Sequence, residues 1–143
     1  MPNPSPLSVV EEIYAAFGRG DIPGVLAKLH PEVDWGVNVD HLLPAAKRVA
    51  GYEPGQGHAY VGRYFGLVVQ GYQINGFAPV ALMAGGQEVA ARIQVDFTVR
   101  STGRRIAGVA IHHWIVGADG RVTRFRDFED TLAWTEAWLD SSG

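Results

Sequence analysis

Hydrophobic and polar positions along this chain change period once, from a helical spacing to a strand alternation. Between Ser8 and Phe17 the apolar residues Val9, Val10, Ile13, Tyr14, Ala16 and Phe17 recur at helical intervals. Ser8 and Glu11 have capping-box spacing, and Gly18 and Gly20 offer a left-handed stop, so a first helix is predicted there. Asp21 and Pro23 open a second short helix carrying Val25, Leu26 and Leu29, which His30-Pro31 ends. Val33 to Val37 alternates as a short strand. Residues 40–57 are punctuated by Pro44, Gly51, Pro54, Gly55 and Gly57 and read as a loop, in which Leu42, Leu43 and Val49 can form an apolar flap. Tyr60, Val61, Tyr64, Phe65 and Val68 predict a third helix over 58–69. Beyond Phe77 the period is two, giving strands over 76–84, 88–100, 105–116 and 121–129. Gly85-Gly86, Thr102-Gly103 and Asp119-Gly120 separate them as tight turns. Trp134 and Trp138 share one side of a terminal helix over 131–139.

Helices followed by a meander of long strands define an α+β domain, and one domain spanning residues 1–143 is predicted. One sheet face must pack on the helices. Treating Asp119-Gly120 and Thr102-Gly103 as two-residue hairpin loops sets a register. His112 then opposes Asp127, Trp114 opposes Phe125, and Val116 opposes Thr123. In the preceding hairpin Val99 opposes Ile106, Phe97 opposes Gly108, Val95 opposes Ala110, and Ile93 opposes His112. Both registers put Ile93, Val95, Phe97, Val99, Ile106, Ala110, His112, Trp114, Val116, Phe125, Asp127 and Glu129 on one face. The arginines Arg92, Arg100, Arg124 and Arg126 fall on the other. The first face is apolar almost throughout, so it is the expected core face. His112 and Asp127 are its informative exceptions, because a buried ionisable group needs a partner and each can serve the other. Gly108 and Ala110 leave room in front of them, as a cavity requires.

Composition removes several classes of function. A net charge of -3 gives no electrostatic footprint for nucleic acid, and the alternating Arg121, Arg124 and Arg126 read as a solvated strand face. With no cysteine there is no disulfide, thiol nucleophile or thiolate metal site. His112-His113 is not a metal pair, since neighbouring strand residues point to opposite faces, and no metal is expected. The first residues carry neither a basic nor an apolar signal segment, and no apolar run spans a membrane, so a cytoplasmic location is expected.

The segments Ile13-Tyr14-Ala15-Ala16-Phe17-Gly18-Arg19-Gly20-Asp21 and His30-Pro31-Glu32-Val33-Asp34-Trp35 resemble the nuclear transport factor 2-like superfamily, and within it the SnoaL-like, ketosteroid-isomerase-related proteins. Gly57 to Phe65 and Gly120 to Phe128 fit the same pattern. The resemblance implies a cone: a strongly bent antiparallel sheet wrapped around the N-terminal helices and enclosing one apolar pocket. Steroid isomerases of this kind use a tyrosine, a strand acid and an aspartate base. Those positions fall on Ile13 (with Tyr14 one residue away), His112 and Val37. Limonene-type epoxide hydrolases use an Arg and an Asp on one strand, falling here on Ile93 and Val95, and a last-strand Asp, falling on Asp127. SnoaL-like cyclases place a last-strand Asp in the pocket beside a histidine, which matches Asp127 and His112.

The resemblance therefore implies acid–base chemistry without a cofactor on a small apolar carbonyl-bearing molecule. Asp127 would be the base, and His112 would orient it or donate to the developing oxyanion. The same pair also fits a buried, hydrogen-bonded couple in a non-catalytic binding protein. Phe17, Trp35, Tyr64, Phe65, Ile93, Val95, Phe97, Ala110, Trp114 and Phe125 are the candidate pocket residues, with Glu129 towards the rim. Tyr14 and Tyr60 are expected to hold their hydroxyls at the surface. Val109, Ile111 and Ile115 on the outer face predict a homodimer joined through the sheet.

Overall fold

The computed structural model describes residues 4–37 and 49–139. The expected flap residues Leu42 and Leu43 lie outside them. Helix α1 runs Pro6–Gly18, one turn earlier at its start than the Ser8–Glu11 box predicts. Ser5 is the cap, accepting from the Ser8 N–H at 3.2 Å, because Pro6 suits the first helical position with its fixed φ and lacks an N–H that would go unpaired. Asp21 caps α2 (Ile22–Leu26) by accepting from the Gly24 N–H at 2.9 Å.

The remaining elements follow as β1 (Leu29–Val37), β2 (Gly55–Gln56), α3 (His58–Gly71), β3 (Tyr72–Gly85), β4 (Glu88–Val99), β5 (Arg105–Val116), β6 (Val122–Phe128) and α4 (Thr131–Trp138). His30-Pro31 does not simply end a helix; it lies inside β1. Pro31 falls in the stretch between Leu29 and Asp34 where pairing to β6 shifts register, so its missing N–H breaks no ladder bond.

The six strands form one curved, open sheet in the order β2-β1-β6-β5-β4-β3. Every pairing is antiparallel except β1 with β6, which run parallel. Two irregularities in β3, at Ile74/Gly76 and Pro79/Ala81, help bend that edge.

The β5–β6 register matches the expectation where it matters: His112 opposes Asp127 and Trp114 opposes Phe125. Near the turn it departs, since an irregularity sets Val116 against Val122 rather than Thr123. The β4–β5 hairpin differs throughout. Its turn is longer than two residues, closed by Val99 N–H to the Arg104 carbonyl and Gly103 N–H to the Val99 carbonyl. Phe97 therefore opposes Ile106, Val95 opposes Gly108, Ile93 opposes Ala110, and Ala91, not Ile93, opposes His112. The displacement is two residues, a full side-chain period, so every residue keeps its predicted face. Val89, Ala91, Ile93, Val95, Phe97 and Val99 are all buried, as are Ile106, Ala110, His112, Trp114 and Val116.

The outer face holds one exception to its solvated character. Arg126 is only 5% exposed. Its guanidinium bonds Asp34 Oδ2 at 3.1 Å and the Phe125 carbonyl at 2.9 Å, lying where a side chain at Gly36 would otherwise stand. It ties β6 to its parallel neighbour.

Because Ile93 is wholly buried against Ala110, Ile93→Ala is expected to lower stability by about 2–5 kcal/mol in urea unfolding. A loss under about 1 kcal/mol would mean the site can collapse and is not close-packed.

Candidate functional site: an aromatic cavity with a buried histidine–carboxylate pair

The inner sheet face and the helices enclose a cavity lined mainly by aromatic rings. The rings arrive from several elements. Strand β6 supplies Phe125, against which Trp35 of β1 stacks with centroids 4.0 Å apart. Trp114 of β5 packs on Phe125 at 4.4 Å and edge-on to Trp35 at 5.9 Å. Tyr64 and Phe65 of α3 meet the other side of Trp35 at 5.6 and 5.8 Å. Phe17 of α1 touches Phe65 and Phe77. Such edge-to-face contacts fix ring orientations and keep the wall rigid.

Into this wall β5 and β6 set His112 and Asp127, 7% and 8% exposed. The surrounding hydrogen bonds assign the histidine tautomer. The Trp114 Nε1–H can only donate, and it does so to Tyr14 Oη at 3.0 Å. The Tyr14 hydroxyl is left to donate in turn to His112 Nδ1 at 2.8 Å. Burial raises the Tyr14 pKa, outweighing the lowering by the Trp114 bond, so the phenol keeps that proton. With Nδ1 accepting, the ring's N–H lies on Nε2, which faces Asp127 Oδ1 at 3.6 Å. That is ion-pair distance and longer than a hydrogen bond. Asp127 Oδ1 is buried and closes no well-formed hydrogen bond among the described residues.

Tyr14 corrects an expectation. Its hydroxyl is not at the surface but holds the histidine. The helical stripe contained the signal: Tyr14 lies four residues after Val10 and three before Phe17, on the side that meets the sheet. The Tyr60 hydroxyl donates to the carbonyl of the exposed Glu53, at the surface as expected.

A second carboxyl completes the polar part. Glu129 lines the cavity rather than its rim alone, two residues beyond Asp127. Burial first, and then the neighbouring Asp127 charge, push its carboxyl well above the ordinary glutamate value of 4.5. The Tyr52 hydroxyl neighbours it, and burial raises that phenol too.

Of the residues the sequence marked for the pocket, Phe17, Trp35, Tyr64, Phe65, Val95, Phe97, Trp114, Phe125 and Glu129 line the cavity together with His112 and Asp127. Ile93 and Ala110 do not. The longer β4–β5 turn sets Ile93 opposite Ala110, where the expected register had Ile93 opposite His112 and Val95 opposite Ala110. Sequence reasoning did not mark Tyr14, Tyr52, Tyr72, Phe77 or Trp134. Tyr52 sits in a Gly- and Pro-rich stretch with no periodicity, so nothing pointed to it. Trp134 had the helical pairing with Trp138 as its only sign. His113, next to His112, turns outward to Glu88 at 2.8 Å.

Residues 10–125 match the model of the SnoaL-like domain, and the chain belongs to that family. Solved structures agree. An NTF2-like protein of unknown function from Burkholderia pseudomallei K96243 is 26% identical, with a TM-score of 0.79 over 94% of this chain and 97% of that one. TerC, co-crystallised with polyporic acid, is 26% identical, with a TM-score of 0.75 over 93% and 97% of the two chains. A candidate polyketide cyclase from Pseudomonas putida KT2440 shares the fold at 20% identity, with a TM-score of 0.74 over 94% and 98%. No curated protein sequence matches the chain.

Tyr14→Phe removes the donor to His112 Nδ1 and the acceptor for Trp114 Nε1. It is expected to cost about 1–3 kcal/mol. In 15N NMR of the histidine ring, the single Nε2–H tautomer is expected to give way to a mixture; a spectrum identical to wild type would refute the tautomer assignment.

Proposed function

We propose that this protein is an enzyme of the SnoaL-like family acting, without a cofactor, on a small and largely apolar carbonyl compound. Asp127 is the base that removes a proton α to the carbonyl, and the Tyr14-held His112 orients its carboxylate through Nε2–H. The observation that carries this reading is the pairing of one buried carboxylate with one tautomer-fixed imidazole, 3.6 Å apart, inside an aromatic cavity. A carboxylate set beside an imidazole in an aromatic cavity is placed to take a proton from a carbonyl compound bound against the rings. The enolate it generates can attack a second carbonyl, as in a cyclisation, or be reprotonated elsewhere, as in an isomerisation. Structural relatives that include candidate polyketide cyclases, and TerC co-crystallised with polyporic acid, support a small-molecule ligand.

The test uses 2-tetralone, a neutral bicyclic ketone, in deuterated buffer with 1H NMR detection. Wild type is expected to exchange the α-hydrogens faster than buffer does. Asp127→Asn is expected to lose about a hundredfold or more of that rate while still quenching tryptophan fluorescence on ketone binding. Unchanged exchange in the variant would remove Asp127 from the mechanism.

The outer sheet face supports association of two copies. Val109, Ile111 and Phe128 lie together there on β5 and β6, 54%, 37% and 45% exposed. Ile111→Glu is expected to convert a dimer to a monomer in light scattering coupled to gel filtration, and a wild-type monomer would refute the association.

A further inference from the structure

The rings of the cavity include two separate groups. His112 stands among Tyr14, Phe77, Trp114 and Phe125, with centroids between 5.0 and 6.3 Å away. Tyr72 of β3, Phe97 of β4 and Trp134 of α4 make the second group, each edge-on to the other two at 5.3–5.4 Å. All three line the cavity, and none takes part in the acid–base chemistry proposed above. Trp134 is 5% exposed. Among the described residues it is the one member of α4 that lines the cavity. Only two residues separate α4 from β6, the strand that carries Asp127.

Helix α4 is tied down along its length. Asp130 caps its start by accepting from the Ala133 N–H at 3.0 Å. At its other end the Thr102 hydroxyl donates to the Ala137 carbonyl at 2.6 Å, and Arg104 Nη1 donates to the Glu136 carbonyl at 2.5 Å. Trp138 Nε1–H donates to Tyr72 Oη at 2.8 Å, which joins the helix to the second ring group itself. Trp138 can approach so closely because residue 71 is glycine: a Cβ there would stand 2.9 Å from its ring. Trp134 is therefore fixed by two ring neighbours and by a helix that cannot shift without breaking these bonds.

We propose that Trp134 is the specificity-determining residue of the cavity: with the carbonyl of the ligand at the His112–Asp127 pair, the indole meets the ligand's far apolar end and sets how long that end can be. The proposal rests on the carbonyl reading for the kind of ligand and for which end lies at Asp127; it does not rest on turnover. The ring group that Trp134 completes is aromatic and uncharged, so it suits a hydrocarbon or aryl end. A ligand that reaches Trp134 gains ring contact. One ring longer, it must displace the indole, which costs the contacts with Tyr72 and Phe97. Shortening the side chain at 134 removes the stop and leaves Tyr14, His112 and Asp127 in place.

The experiment measures binding of 2-tetralone and of its benzo-fused, three-ring homologue to the full chain by isothermal titration calorimetry, and reads the ratio of the two affinities. Wild type is expected to favour the two-ring ketone, and Trp134→Ala to shift the ratio towards the three-ring ketone at least tenfold. Trp134→Phe, which keeps a ring against Tyr72 and Phe97, is expected to shift it the same way by about threefold, and it serves as the test if the alanine variant does not fold. Leu132→Ala, at a 66% exposed position of the same helix, is expected to keep the wild-type ratio. An unchanged ratio in the Trp134 variants, an equal shift in Leu132→Ala, or no binding of either ketone by wild type would overturn the proposal. Failure of the carbonyl reading has a separate signature: the affinity ratio shifts as expected while wild-type α-hydrogen exchange is no faster than buffer.

Discussion

The closure of β5 on β6 sets an imidazole and a carboxylate face to face where water is largely excluded, and the rest of the molecule is arranged around that pairing. A charge in such a place is expensive unless something answers it. Part of the answer comes from the neighbouring strand, as His112. Part comes from a helix, as the Tyr14 hydroxyl that fixes which nitrogen of His112 bears the hydrogen. The third part comes from the rings. Trp114 supplies a wall and also the N–H that orients Tyr14. Packing and polarity are therefore the same set of side chains. A change in ring position at Trp114 alters the hydrogen bond two links away.

The fold tolerates variation in its turns because of side-chain parity. The β4–β5 turn is longer than a two-residue loop, and β4 is displaced by two residues along β5. Since side chains alternate with a period of two, the displacement leaves Val95 and Phe97 on the cavity side. Ile93 loses its place beside His112 in this way and becomes core. A displacement of one residue would have turned the apolar face to solvent, which burial forbids. Turn length thus tunes the pocket's contents, and burial protects its existence.

Arg126 shows the opposite case, where alternation alone misleads. Its position on the outward parity of β6 made it a solvated arginine by pattern. The parallel strand β1 lies alongside and brings Asp34 to it, while Gly36 leaves the space the guanidinium occupies. A pairing between strands this far apart in the chain has no local trace in either of them.

Much of the architecture was legible in the chain itself: the helices, the four long strands, the face on which each residue stands, and the meeting of His112 with Asp127. These follow from periodicity and from a turn whose errors do not reach the middle of the strands. Tertiary assembly was needed for what comes from different elements. It brought Tyr14 to the histidine, Tyr52 and Tyr72 to Glu129, and Arg126 to Asp34, and it set Glu129 among the residues that line the cavity. The physical reason is one of range. Alternation and capping act over a few residues and can be read along the sequence. Desolvation and hydrogen bonding between distant elements depend on where the folded chain shuts out water.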